Sequence, residues 1–351
     1  MLSRVLIWAW RKKTMAVTLK DVAKKAGVSR SAVSRTFTEG ASVSEKTRTK
    51  VKRAAAELGY SPNALASSLT TGRTKLIGLV SNNFHNPLLL EVFDLFTRGL
   101  QDRGLRPLLV NLTDETDPVN SIRMLRQYSV DGVIVASSTL PPSFAEAFKN
   151  AGVPVVHSFG RFTPSPHVHV VGIDNVACGR MAAEVLMSRG YERIAFLGGP
   201  ESATSTQDRA RGFVEAAQTN PDITVSTSCA SAYSFEAGRA EMTKQLSENP
   251  AQAYFCGDDV VAIGALSAVR DAGLSVPDDV GLIGLNDMEM ASWQNIDLTT
   301  IRQPVSEIIR ASIDLVIDTI ENPDRLAETR LFPCRIIERR TLRPPSDSVQ
   351  S

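Results

Sequence analysis

The sequence predicts a small all-α helix-turn-helix domain joined to an α/β core of two doubly wound lobes. Three observations carry this reading. Residues 18–58 place apolar side chains at helical spacing between residues suited to helix ends. From Leu76 to Asn286 the period changes, and short apolar runs alternate with helical stretches. The charge is also divided. Through Lys75 the chain holds 16 Lys/Arg against 4 Asp/Glu, and the remainder holds 23 against 34. A net charge of +1 therefore conceals a head of +12 on a body of −11. Such a head suits nucleic-acid phosphates, and such a body avoids them.

In the head, Leu19, Val22, Ala23 and Ala26 fall at i, i+3, i+4 and i+7, the stripe of a short one-sided helix. Thr18 is its N-cap, Asp21 places a carboxylate at the positive end, and Gly27 stands where a helix terminates in positive φ. Ser29 caps a second helix, Arg30 to Phe37, with Val33 and Phe37 inward and Arg30, Ser31, Ser34 and Arg35 outward. Two short helices across a tight Gly turn form a helix-turn-helix, whose second helix can enter the DNA major groove. Ser44 caps a third helix through Leu58, which closes the core with Val51, Ala55 and Leu58. Then follows Tyr60-Ser-Pro-Asn-Ala-Leu-Ala-Ser-Ser-Leu69, in which 63–69 has length for about two helical turns, too few to stand alone in water.

The segments LKDVAKKAGVS, AVSR, VSEKTR and LGYSPNALASSL stand in the order and spacing of the LacI/GalR family of bacterial transcription regulators, which this chain resembles. The resemblance runs to about Arg343. It implies a periplasmic-binding-protein-like (type I) core with a small effector between its lobes. The implied boundaries are 16–60 for the head, 61–75 for a hinge helix or linker, 76–174 with 304–332 for the N-terminal lobe, and 175–303 with 333–343 for the C-terminal lobe. Residues 344–351 read as a disordered tail without heptads, so no tetramerising coiled coil is expected. Family members begin a few residues before TLKDVA, so translation is expected to start at Met15, with 1–14 an upstream artefact.

The core runs are LIGLV, PLLVNL, DGVIVA, VPVVHS, VVGI, RIAFLGG, AYFCG and VGLIGLN, too many strands for one sheet of typical size. Ligands in open α/β sheets bind beyond the carboxyl ends of strands, where Asn82, Asp174, Asp258, Asn286 and Asp287 stand. No GxGxxG, GxxxxGK, GxSxG or HExxH occurs, so nucleotide, cofactor, nucleophile-elbow and zinc-hydrolase readings have no motif. His167 and His169 alone make a poor metal site. Cys178, Cys229, Cys256 and Cys334 form no CxxC pair, which points to reduced thiols in a cytoplasmic protein. No run approaches the ~18 apolar residues of a membrane span. The helix from Leu88 to Leu100 carries more apolar residues than one stripe needs, and a dimer partner is expected on it.

By position in the family motifs, the resemblance assigns Arg30, Ser31 and Arg35 to base edges. It assigns Ser29, Ser34, Thr38, Ser44, Thr47, Tyr60, Asn63 and Ala66 to the DNA backbone or its neighbourhood, and Leu69 to a minor-groove wedge. A homodimer on a pseudo-palindromic operator follows. The implied effector residues are Leu88, Asp174, Ser205, Arg209, Tyr233, Asp258 and Asn286. Leu88 and Ala203 replace the tyrosine and arginine of the purine-repressor pattern, which leaves a sugar or sugar acid as the expected effector. No cofactor or metal is expected. The rival readings are a stand-alone solute-binding protein, which has no use for a basic head, and an enzyme acting on a small polyol.

Overall fold

The computed structural model describes residues 17–38, 40–63, 68, 71–82, 84–112, 118–248 and 250–345. The chain forms two compact units that divide between Thr74 and Lys75. The first unit is a three-helix head. Helix α1 (Leu19–Ala26) opens on a reciprocal cap: the Asp21 amide donates to the Thr18 hydroxyl, and the Thr18 amide donates to Asp21 at 2.9 Å. Gly27 then turns the chain at φ 63. Helix α2 (Arg30–Phe37) and helix α3 (Glu45–Leu58) start on Ser29 and Ser44, whose side chains accept from Ala32 and Thr47. Val22, Ala23, Val33, Val51, Ala54 and Ala55 form the buried core, with Phe37, Leu58 and Tyr60 packed against it. Arg48 donates to the Thr36 carbonyl at 3.2 Å, tying the end of α2 to α3.

The second unit holds two sheets of corresponding strand order. The first contains β1 (Leu76–Asn82), β2 (Arg106–Leu112), β3 (Gly132–Ala136), β4 (Val155–Ser158), β5 (His169–Gly172) and β11 (Thr329–Leu331), in the order β11-β5-β4-β3-β1-β2. The second contains β6 (Arg193–Gly198), β7 (Thr224–Cys229), β8 (Ala253–Cys256), β9 (Gly281–Asn286), β10 (Thr300–Arg302) and β12 (Arg335–Ile337), in the order β12-β10-β9-β8-β6-β7. All pairings are parallel except β10 with β12. Strands β3, β4, β5, β8 and β9 are buried throughout, as parallel strands covered on both faces must be.

The covering helices are α4 (Leu88–Asp102), α5 (Pro118–Gln127), α6 (Pro142–Asn150), α7 (Asn175–Ser188), α8 (Thr204–Ala217), α9 (Phe235–Glu248), α10 (Asp259–Asp271) and α11 (Val305–Glu321). The chain passes between the sheets three times: after β5, between β10 and α11, and between β11 and β12. The fold is the predicted one, an all-α head and an α/β core of two doubly wound lobes. Four elements were absent from the sequence reading, for physical reasons. Edge strand β7 is largely exposed and polar, and α9 buries only Gly238 and Met242, so neither shows an apolar period. Strands β10 and β11 span three residues each, too short for a period to register.

Candidate nucleic-acid interface and ligand cleft

On the head, Arg30, Ser31, Ser34 and Arg35 are exposed on α2. Neither arginine side chain has a hydrogen-bond or ion-pair partner among the described residues, so both guanidinium groups are free for a ligand. Ser29 and Ser44 are exposed caps; their oxygens accept backbone N–H groups and also meet the hydroxyls of Ser31 and Thr47, both at 2.9 Å. Thr38 donates to the Ser34 carbonyl, Tyr60 packs against Phe37 with ring centroids 5.9 Å apart, and Asn63 is exposed. Ala66 and Leu69 lie outside the described residues.

The core carries a cleft of about 650 Å³, its open mouth included, lined from both lobes. Leu88, Arg209, Tyr233, Asp258 and Asn286 line it. Arg209 is 4% exposed. Its Nε donates to Asn175 at 2.8 Å and its Nη1 to the Gly257 carbonyl, which leaves Nη2 without a partner among the described residues. Helices α7 and α8 set this position by touching backbone to backbone: a Cβ at Gly179 would collide with the Arg209 carbonyl oxygen, and one at Gly212 with that of Val176.

Asp258 caps α10, its Oδ1 accepting from the Val260 amide at 2.8 Å. Its Oδ2 accepts from Asn86 and from Asn286, each at 2.9 Å, and Gln303 donates to the Asn286 Oδ1 at 2.6 Å. Burial raises the Asp258 pKa, opposed by the Val260 amide, Asn86, the Arg209 charge and Asn286. Adjacent Asp259 faces inward and holds the following turn, accepting from Thr300 at 2.6 Å and the Met288 amide at 2.7 Å; burial pushes it up to about 7. Phe159 (φ 61) and Asn286 (φ 125) line the cleft in backbone conformations that side chains rarely adopt, strain of the kind that clusters at binding sites.

Two residues named from sequence stand beside the cleft rather than in its lining. Asp174 caps α7 through the Ala177 amide at 2.9 Å, and the next residue, Asn175, lines the cleft instead. Ser205 is buried behind Tyr233, whose hydroxyl it meets at 3.1 Å, with Thr206 at 2.7 Å. Asp287 is engaged by Arg302 and Arg339 and is structural. The lining that sequence reading missed comes mainly from loops, among them Asn86, Ser137, Thr139 and Gln303, with Asn175 at the first position of α7. Asn86 precedes a leucine-rich helix and Gln303 follows a three-residue strand, positions that no apolar period marks. Among the described residues no group of three or more His, Cys, Asp or Glu could hold a metal ion, and no helix is long and apolar enough to cross a membrane.

The lobes are bonded to each other around this cleft. Besides Asn86 with Asp258, the Thr204 hydroxyl and the Ser205 amide donate to the Ser138 carbonyl at 3.0 and 3.1 Å. Arg161, after β4, makes a two-pronged ion pair with Asp208 on α8 at 2.9 and 2.5 Å.

A three-helix head with free arginines on its second helix, and a twin-lobed α/β core with a polar cleft, have the build of a transcriptional regulator. Residues 18–63 match the bacterial regulatory proteins of the lacI family, and residues 183–342 match a periplasmic binding protein-like domain. The chain is 33% identical to the HTH-type transcriptional repressor PurR of Proteus mirabilis, over 93% of this chain and 96% of that protein. It is 29% identical to the HTH-type transcriptional repressor CytR of Escherichia coli, over 95% and 98%. Its fold matches the lac repressor dimer bound to operator and the anti-inducer ONPF, with a TM-score of 0.83 at 26% identity, covering 94% of this chain and all of that one. It also matches a complex of the transcriptional regulator CelR with cellobiose, at a TM-score of 0.68 and 28% identity, covering 93% and 99%. The chain belongs to the lacI family of bacterial transcriptional regulators.

Proposed function

We propose that the chain is a cytoplasmic, dimeric repressor whose hold on a pseudo-palindromic operator is set by a sugar or sugar acid in the cleft. Arg30, Ser31 and Arg35 read bases, since an arginine fork can donate twice to a guanine for ~1–3 kcal/mol of discrimination. Ser29, Ser34, Thr38, Ser44, Thr47, Tyr60 and Asn63 hold the backbone, and Leu69 enters the minor groove. The cleft acts by binding and not by catalysis.

The observation that carries the effector reading is Arg209. A buried guanidinium with an unused Nη2, beside a wall of Asp258, Asn286 and Gln303, calls for a ligand bearing hydroxyl and carboxyl oxygens. Tyr233 and Phe159 supply ring surface for its apolar face. The cellobiose complex of CelR is a relative of matching chemistry. The likeness to a PurR does not bring a purine with it, because Leu88 stands in the cleft wall and Ala203 is buried outside the lining. Effector and operator are coupled only by the effector's differential affinity for the two lobe arrangements.

A thermal-shift panel of sugars and sugar acids, repeated with labelled operator, tests this, because a tight ligand raises apparent stability by mass action. A hit should change operator affinity in the wild type, and Arg209→Ala should abolish the response. Turnover of the ligand, or a hit that leaves operator binding unchanged, would overturn the reading.

A further inference from the structure

A second cavity, about 670 Å³ with its open mouth, lies in the first lobe at the amino ends of β4 and β5, opposite the strand ends that face the cleft. Its polar side chains are Lys149, His167, His169, Thr319 and Arg325. His169 is 3% exposed. Its Nδ1 accepts the Glu328 amide at 3.2 Å, which fixes the neutral ring in the tautomer that carries its hydrogen on Nε2. That Nε2–H has no protein partner among the described residues and, not being sealed from solvent, stays open to a ligand in the cavity. Lys149 spends one hydrogen on the His167 carbonyl at 2.6 Å and has two to give. Arg325 pairs with Asp318 and Glu328, neither of which lines the cavity. The hydrogen of Thr319 goes to the Leu315 carbonyl at 2.6 Å.

Lys149, which has no acidic partner among the described residues, the ion-paired Arg325 and the open N–H of His169 thus face a space whose lining holds no carboxylate. A neutral hydroxylated ligand would leave these donors poorly matched, whereas an oxyanion brings several acceptors and a compensating charge. We propose that this cavity is a second ligand site, distinct from the cleft, that seats a phosphate group, free or as an ester, between Lys149, His169 and Arg325. The site is connected to the cleft wall through the fold. Strand β4 begins at the cavity with Val155 and leads into Phe159 in the cleft, and α11 reaches from Thr319 at the cavity back to Ser312, which donates to Ser158 at 2.9 Å.

The test uses the full chain with 13C-labelled histidine at about pH 8, where imidazoles are neutral. All four histidines (His85, His157, His167 and His169) lie in the core, so phosphate on the basic head moves no histidine signal directly. Inorganic phosphate should shift the His169 resonance saturably, while chloride at matched ionic strength should not. His169→Asn identifies that resonance and keeps an acceptor for the Glu328 amide. Lys149→Ala, at an exposed residue whose loss spares the fold, should weaken the phosphate titration by about tenfold or more, the usual worth of a charged hydrogen bond. A sugar phosphate run as a separate arm distinguishes ester from free ion by which binds more tightly. No movement of the His169 signal, an equal response to chloride, or an unchanged titration in Lys149→Ala would each overturn the assignment.

Discussion

Asp258 and Asn286 stand at the ends of neighbouring strands and touch at 2.9 Å, so a charge changed by substitution at either position is felt at the other. The LacI/GalR pattern that this chain resembles usually places the amide on the first strand end and the carboxylate on the second, the reverse of the arrangement here. Asn286→Asp sets two carboxylates against each other in a buried site, and Asp258→Asn turns amide donors of Asn86 and Asn286 toward another amide donor. Each single change should cost about 1–3 kcal/mol in stability and effector affinity. The double exchange should recover part of that, because the Asn–Asp bond is restored in reverse. Strictly additive losses in the double-mutant cycle would show that the pair is not coupled. His157 offers a second residue-scale test. Fully buried, with Nε2 on the Ser137 carbonyl and Nδ1 without a partner, it is pushed down by burial from 6.5 to about 4. Its folded pKa lies below its unfolded one, so its contribution is full above about pH 6.5 and is lost as pH falls toward 4. The stability advantage of wild type over His157→Gln should shrink by about 2 kcal/mol between about pH 7 and about pH 4.5. A pH-independent difference in melting temperature would count against a neutral buried imidazole. At this scale the sequence was legible where a residue ends a strongly apolar strand or sits in a family motif, as with Arg209 and Asp258. It was silent on Asn86 and Asn175, whose roles are set by how two lobes meet.

At the scale of elements, the two walls of the cleft are held together by few joints. The Arg161–Asp208 pair links the loop after β4 to α8, with Asp208 almost wholly buried and also reached by Arg211 at 3.1 Å. Arg161→Ala leaves Asp208 to Arg211 alone, which should cost about 1–2 kcal/mol. It should also open the cleft, lengthening a label-to-label distance between the lobes and speeding effector entry. Unchanged distance and entry rate would mean that the pair does not restrain the lobes. The α7–α8 contact is less forgiving. Gly212→Ala drives a methyl into the Val176 carbonyl, and the helices must part, at about 1–3 kcal/mol and with loss of the Arg209–Asn175 bond. Effector affinity should therefore fall more than in a surface Gly variant, read by titration at a temperature where both remain folded. These elements were legible as a class because buried parallel strands are continuous apolar runs, while exposed β7 and polar α9 carry no such signature.

At the scale of the molecule, the proposed control of DNA by an effector calls for two heads held at a fixed separation, which raises the question of where a second chain would sit. Helix α4 looked over-supplied with apolar residues, and most of them are now accounted for. Val92, Phe96 and Leu100 are buried, Leu88 and Leu89 line the cleft, and Phe93 meets Phe84 with centroids 4.9 Å apart. Leu90 remains, 77% exposed, and Leu109 on edge strand β2 is 49% exposed. Single exposed leucines are ordinary, so these two alone do not establish an interface. They do locate a test of the proposed dimer, because an exposed leucine can be replaced without disturbing the core. The double variant Leu90→Glu with Leu109→Glu should keep the wild-type circular dichroism and melting behaviour of an isolated chain. In a dimer it would bury unpaired carboxylates, so light scattering should report a monomer at concentrations where the wild type is dimeric. Operator affinity should fall steeply, because two linked heads engage two half-sites with an effective concentration that separate heads lack. A single half-site should be bound equally well by both proteins, which separates lost dimerisation from a damaged head. If the variant remains dimeric and holds the full operator as tightly as wild type, the second chain does not dock on α4 and β2.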